Sequence, residues 1–197
     1  AEGGGAEGGG AEGGGAEGGG AEGGRPPVQS ICRDDFVAAG ELGRGEFGQV
    51  LLVRRVGGAR PYAMKVLDKQ KALVRKGVFI KRLQDELAVL QLEPHAVVAH
   101  LAYGFHDERY IYLVMTYLPG GDVRALLKRE GRLDVERTRR YVAQVTLGLG
   151  HLHQFGFVWR DLKPENLIAG GRGQLCLIDF GLARVCDSPH SSRTFCG

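Results

Sequence analysis

The chain has 197 residues, with 26 basic against 23 acidic side chains, 33 glycines and four cysteines. No apolar run approaches the length of a membrane span. The first residues have neither the basic head nor the apolar middle of a signal peptide, and no two cysteines stand in CxxC spacing. These features set aside membrane-spanning, disulfide-framework and zinc-site classes, so Cys32, Cys176, Cys186 and Cys196 read as reduced thiols of a cytoplasmic or nuclear protein.

Residues 1–24 are four copies of Ala-Glu-Gly-Gly-Gly and part of a fifth, with 14 glycines, five glutamates and no large apolar side chain. Such a stretch cannot bury enough apolar surface to offset its ordering entropy, and it reads as a flexible acidic tail. The remainder holds 26 basic and 18 acidic residues, a net charge of +8. Its basic residues concentrate between Lys65 and Arg82 and between Arg124 and Arg140, on stretches with the look of solvated helices. No aromatic residues interleave them as a single-stranded nucleic-acid surface would require, so no nucleic-acid partner is expected.

In chain order, residues 36–56 read as two strands joined by the loop Gly43-Arg44-Gly45-Glu46-Phe47-Gly48. Tyr62–Leu67 forms a further strand. A helix over about 77–92 has Phe79, Leu83, Leu87 and Leu90 at helical spacing. Strands at about 97–105 and 110–117 follow, joined by a turn at residues 106–109, and Pro119-Gly120-Gly121 breaks the pattern. Residues 122–130 form a short helix. Asp134 caps a longer one reaching about Phe155, with Val142, Val145, Leu149 and Leu152 on one face. A loop over 159–166 and a small hairpin through 167–168 and 175–178 complete the order. Strands in front and helices behind make an α+β, two-lobed chain.

The glycine loop matches G-x-G-x-x-G, a weak signal alone. A dinucleotide site needs these glycines to open a helix, whereas the residues after Gly48 read as strand, which excludes that class. A glycine hairpin lets backbone N–H groups approach phosphates closely. Lys65, inside an apolar strand, needs a carboxylate partner; Glu86 on the next helix is the first candidate and Asp85 the second. Asp161, Lys163 and Asn166 lie within six residues, and Asp179 follows thirteen residues after Asn166. Together they supply a base, a cation and two oxygen donors for magnesium, the parts that phosphoryl transfer needs.

The strings Tyr62–Lys69, Leu118–Asp122, Arg160–Asn166, Asp179–Ala183 and Thr194–Gly197 resemble the eukaryotic protein kinases, and within them the AGC serine/threonine group. The resemblance runs from about Phe36 to Gly197. It implies a strand-rich N-lobe and hinge over 28–118 after a tail over 1–27, then part of a helical C-lobe over 119–197 that ends inside the activation loop. It implies ATP and magnesium as cofactors. Leu42, Val50, Ala63 and Ile168 would sandwich the adenine, with Gly43, Gly45 and Gly48 over the phosphates. Met115 would be the gatekeeper, and Thr116 to Leu118 the hinge. Asp122 would meet the ribose or a basic substrate side chain, and with Glu165 it implies a protein substrate carrying an upstream arginine. Lys163 marks the Ser/Thr-directed loop.

The resemblance further implies that an upstream kinase phosphorylates Thr194, and that Arg160, Arg184 and Arg82 receive the phosphate. Trp159 stands where the group has Tyr or His, in an apolar stack with Phe180, Leu90 and Leu101. The group continues past Gly197 with an A-P-E segment and further C-lobe helices. The chain as written is therefore expected to aggregate or be poorly active alone. A non-catalytic nucleotide-binding module and a scaffold acting through its tail or basic helices stand as the alternatives.

Overall fold

The computed structural model describes residues 31–45, 48–73 and 76–186. The expected tail and Thr194 lie outside them. The chain divides into Ala1–Ser30 and Ile31–Gly197, three residues beyond the end of the tail that the resemblance implies.

The second unit opens with β1 (Phe36–Gly45), β2 (Gly48–Arg55) and β3 (Pro61–Asp68). Helices α1 (Lys69–Leu73) and α2 (Lys76–Leu90) follow, then β4 (Leu101–His106) and β5 (Tyr110–Thr116). The five strands form one antiparallel sheet in the order β1-β2-β3-β5-β4. Successive side chains of a strand face opposite sides. Tyr62, Met64 and Val66 of β3 join Tyr112 and Val114 of β5 in one core cluster. Leu67 and Leu113, of opposite parity, join a second core with Phe79, Val89 and Leu90 of α2. Lys65 shares the parity of Leu67, so it points to the α2 side of the sheet.

The helical half holds α3 (Val123–Glu130) and α4 (Val135–Gln154). Asp122 and Asp134 cap them, each accepting a backbone N–H at 2.7 Å, from Ala125 and Arg137. Two small antiparallel pairs follow. One joins β6 (Phe157–Val158) to β9 (Arg184–Val185), and the other joins β7 (Leu167–Ala169) to β8 (Leu175–Leu177). The second core continues into this half through Leu152, Trp159, Leu177 and Phe180. Packing thus makes the two lobes one body.

Two readings need correction, and one short helix had no reading. The strand expected from residue 97 begins at Leu101; Val98 instead makes an isolated bridge to Leu177. The short helix α1 carried too few apolar positions to show a period. Val142 is 59% exposed, while Tyr141 and Gly148 are buried with Leu152 on the inner face of α4. Gly148 has a packing reason: a Cβ there would lie 2.9 Å from the Leu177 side chain. That close approach offsets the helix propensity a glycine gives up.

Candidate active site

A cleft of about 840 Å³ lies between the sheet and the helical half. Leu42, Val50 and Ala63 line it from the sheet side, and Ile168 from β7. Met115, Thr116 and Leu118 line it where the chain leaves β5. Ile168 pairs with Cys176 across the β7–β8 ladder, and Cys176 also reaches the cleft, a position the sequence reading passed over. Burial pushes the Cys176 thiol up to about 12, so it is not a nucleophile. The Thr116 hydroxyl is buried and has no hydrogen-bond partner among the described residues.

Gly43, Gly45 and Gly48 also line the cleft, for different reasons. A Cβ at Gly43 or Gly45 would meet no atom within 4 Å, so these positions stay open toward a ligand. A Cβ at Gly48 would lie 1.8 Å from the Val66 carbonyl oxygen. Gly48 is thus required by the close approach of β2 to β3.

Lys65 is the centre of the polar network. Its Nζ lies 2.5 Å from Glu86 Oε1 and 3.2 Å from Asp179 Oδ1. Glu86, not Asp85, is therefore its helix partner. Burial opposes the charge on Lys65, but Glu86 and Asp179 outweigh it and hold its pKa above the ordinary lysine value. Burial likewise works to raise the Asp179 pKa; Lys65 outweighs it, and the carboxyl is held below its usual range. Lys65 and Asp179 are thus both held in their charged forms at neutral pH.

The loop after β6 carries the second polar group. Lys163 Nζ donates to Asp161 Oδ2 at 2.8 Å, and Asn166 Nδ2 donates to the same oxygen at 2.8 Å. The bond to Asp161 raises the pKa of Lys163. Asn166 also donates through Nδ2 to the Asp161 backbone carbonyl at 3.0 Å. Its amide oxygen is the donor left for a cation. Asp161, Asn166 and Asp179 all line the cleft, as does Glu165, whereas Lys163 stands at its margin through Asp161. Asp122 lines it too, although one carboxylate oxygen is committed to capping α3.

The donor set suits a hard cation that also takes phosphate oxygens. Asp179 and Asn166 offer two oxygen ligands, and no cluster of three or more His, Cys, Asp or Glu occurs among the described residues. Magnesium is bound in this way, through one or two side chains with the remaining positions on phosphate and water.

Two residues bracketing the site adopt left-handed backbone: Arg160 at φ 66° and Asp179 at φ 60°. Arg160 donates through Nε to the Leu182 carbonyl at 3.0 Å. Arg82 lines the inner end of the cleft, and its Nε is buried with no partner among the described residues. Arg184 lies on β9, where Nη1 bonds the Asp85 carboxylate. Of the three arginines expected near Thr194, one is thus already paired with a carboxylate. The expected stack is present: Trp159 and Phe180 ring centroids are 5.6 Å apart, with Leu90 and Leu101 in the same core.

The family model described as "Protein kinase domain" matches residues 36–197. "Protein kinase 2" of Dictyostelium discoideum is 37% identical over 169 residues, covering 86% of this chain and 35% of that protein. "Ribosomal protein S6 kinase 2 alpha" of Xenopus laevis is 40% identical, covering 84% and 23%. "Serine/threonine-protein kinase tricornered" of Drosophila melanogaster is 39% identical, covering 80% and 34%. The chain thus spans about a third or less of the length of these relatives. With a two-lobed fold, a lysine–glutamate pair lining the cleft and relatives of the AGC group, the chain belongs to the protein kinase domain family.

Proposed function

We propose that this chain carries the ATP-binding and phosphoryl-transfer residues of a serine/threonine kinase that acts on protein hydroxyls. The observation that supports this most is the convergence of Lys65, Glu86 and Asp179 in one cleft with Asp161 and Asn166. Asn166 and Asp179 would hold magnesium, which when bound would supply positive charge against the phosphates. Lys65, fixed by Glu86, grips the nucleotide phosphates. Asp161 accepts the proton of the attacking hydroxyl, and Lys163 neutralises charge on the transferred group. Gly43 and Gly45 leave room for phosphate at the β1–β2 turn. Leu42, Val50, Ala63 and Ile168 hold the base, and the backbone of 116–118 meets its edge.

Substrate choice falls to Asp122 and Glu165, two carboxylates at the cleft that favour an arginine upstream of the target hydroxyl. Phosphorylation of Thr194 by another kinase is the regulatory step this reading includes, with Arg160 and Arg82 able to offer guanidinium donors.

Transfer of label from γ-labelled ATP to a serine peptide with arginine two and three residues upstream tests this. Magnesium-dependent labelling, lost in Asp161→Asn, is expected. Nucleotide binding without any transfer would instead identify a non-catalytic module.

A further inference from the structure

Asp85 and Glu86 are adjacent carboxylates on α2, only 3% and 5% exposed. Successive helical residues point about 100° apart, so the two cannot share one partner. Glu86 meets Lys65 of β3 at the cleft wall. Asp85 turns to the other side and takes two cations: Arg184 Nη1 on one oxygen, and Lys81 Nζ at 3.2 Å on the other. Lys81 is largely exposed, whereas Arg184 has only 27% of its side chain accessible. Arg184 is therefore the partner that compensates the buried charge.

The position of Arg184 gives this bridge its consequence. It lies five residues after Asp179, on β9, paired in register with Val158 of β6. Val158 in turn precedes Trp159, Arg160 and Asp161. The Asp85–Arg184 bridge thus fastens α2, which carries Glu86, to the strand pair that flanks both Asp161 and Asp179. A rotation or outward slide of α2 would break the Lys65–Glu86 and Asp85–Arg184 pairs together, leaving buried Glu86 without its cation and buried Asp85 with only the exposed Lys81.

We propose that Asp85 is a positioning residue: through Arg184 it locks α2 in the orientation that places Glu86 on Lys65. Its value for phosphoryl transfer rests on the function proposed above; the lock itself does not. A fixed carboxylate thus makes a link between α2 and the segment after Asp179 without any added phosphate. A phosphate at Thr194 would have to share the Arg184 guanidinium with Asp85.

The test is a double-mutant cycle in the 197-residue chain, with Asp85→Asn and Arg184→Leu alone and combined. Asp85→Glu and Arg184→Lys serve as milder variants should the first pair fold poorly. Two readouts are taken on protein shown to be folded: affinity for the magnesium complex of a non-hydrolysable ATP analogue, and the rate at which an acylating reagent labels Lys65. The second needs no nucleotide, because loosening Glu86 frees the Lys65 Nζ that it now holds at 2.5 Å and opens it to the reagent. Each single change is expected to weaken nucleotide binding by about tenfold and to speed labelling several-fold, with the double variant little worse than either. Asp85→Glu is expected to recover most of both. Melting temperatures that fall while affinity and labelling stay within about twofold would reduce Asp85 to a structural residue and overturn the proposal, as would effects that simply multiply. A wild-type chain that binds no nucleotide but shows coupled labelling would sink the proposed function and keep the lock.

Discussion

The indole Nε1 of Trp159 donates a hydrogen bond to the backbone carbonyl of Asp179 at 2.9 Å. Asp179 sits at φ 60°, a conformation that costs a non-glycine residue on the order of 1–3 kcal/mol and persists only where its surroundings hold it. Trp159 is 1% exposed and packed against Phe180, so its ring is a rigid donor. Trp159→Phe keeps the aromatic packing and removes the bond. It is expected to cost about 1–1.5 kcal/mol in urea unfolding. Nucleotide affinity should fall more with magnesium than without it, since the carboxylate displaced is the metal-facing one.

Replacing Lys65 by methionine leaves Glu86 buried without a cation. Loss of about 3 kcal/mol of stability is expected, the low end for a broken buried pair because part of Lys65 is accessible. Adding Glu86→Gln should restore much of that stability and none of the nucleotide binding. Chemical denaturation and nucleotide titration of both variants separate the two effects.

The glycines of the β1–β2 turn should divide by mechanism. Gly48→Ala forces a Cβ onto the Val66 carbonyl and is expected to destabilise the fold by about 3 kcal/mol or more. Gly43→Ala meets open space and should change stability by no more than about 0.5 kcal/mol, while still weakening nucleotide binding. Equal stability losses at both positions would contradict this assignment.

The β4–β5 turn predicts an alkaline transition. Burial and the bond from its hydroxyl to Asp107 push the Tyr112 pKa up to about 12. Unfolded tyrosine titrates near pH 10, so the neutral phenol adds stability that is complete below about pH 10 and lost as pH rises toward 12. Asp107 is the opposite case. The Tyr112 hydroxyl and the Tyr110 and Arg109 backbone N–H groups hold its pKa below the usual value. Its contribution is present above the ordinary carboxylate range and is lost as pH falls through the depressed pKa. Tyr112→Phe should flatten the alkaline limb of an unfolding-versus-pH curve and shrink the acid one.

Much of this was legible because the polar residues of the cleft sit in short strings on loops and strand ends. Lys65, Asp161, Asn166 and Asp179 stand out in the sequence as one set, and the fold brings them to one cleft. What could not be read depended on rotation and on distant partners. Glu86 and Asp85 differ by one residue, and only the phase of α2 decides which faces the cleft. Arg184 meets Asp85 across 99 positions of sequence, with no periodic signal linking them. Val142 shares the helical spacing of Val145, Leu149 and Leu152 yet stands exposed, while Gly148 packs against Leu177. The indole bond to Asp179 follows from a backbone conformation that composition does not encode.

The most direct test of the account is ATP affinity measured with and without magnesium, in the wild-type chain and in Asp179→Ala. Trp159, the sole tryptophan and bonded to Asp179, supplies the fluorescence signal. The account predicts that magnesium tightens wild-type binding by about tenfold or more and does nothing for the variant. Equal affinities with and without magnesium in the wild type, or an undiminished magnesium effect in Asp179→Ala, would contradict it.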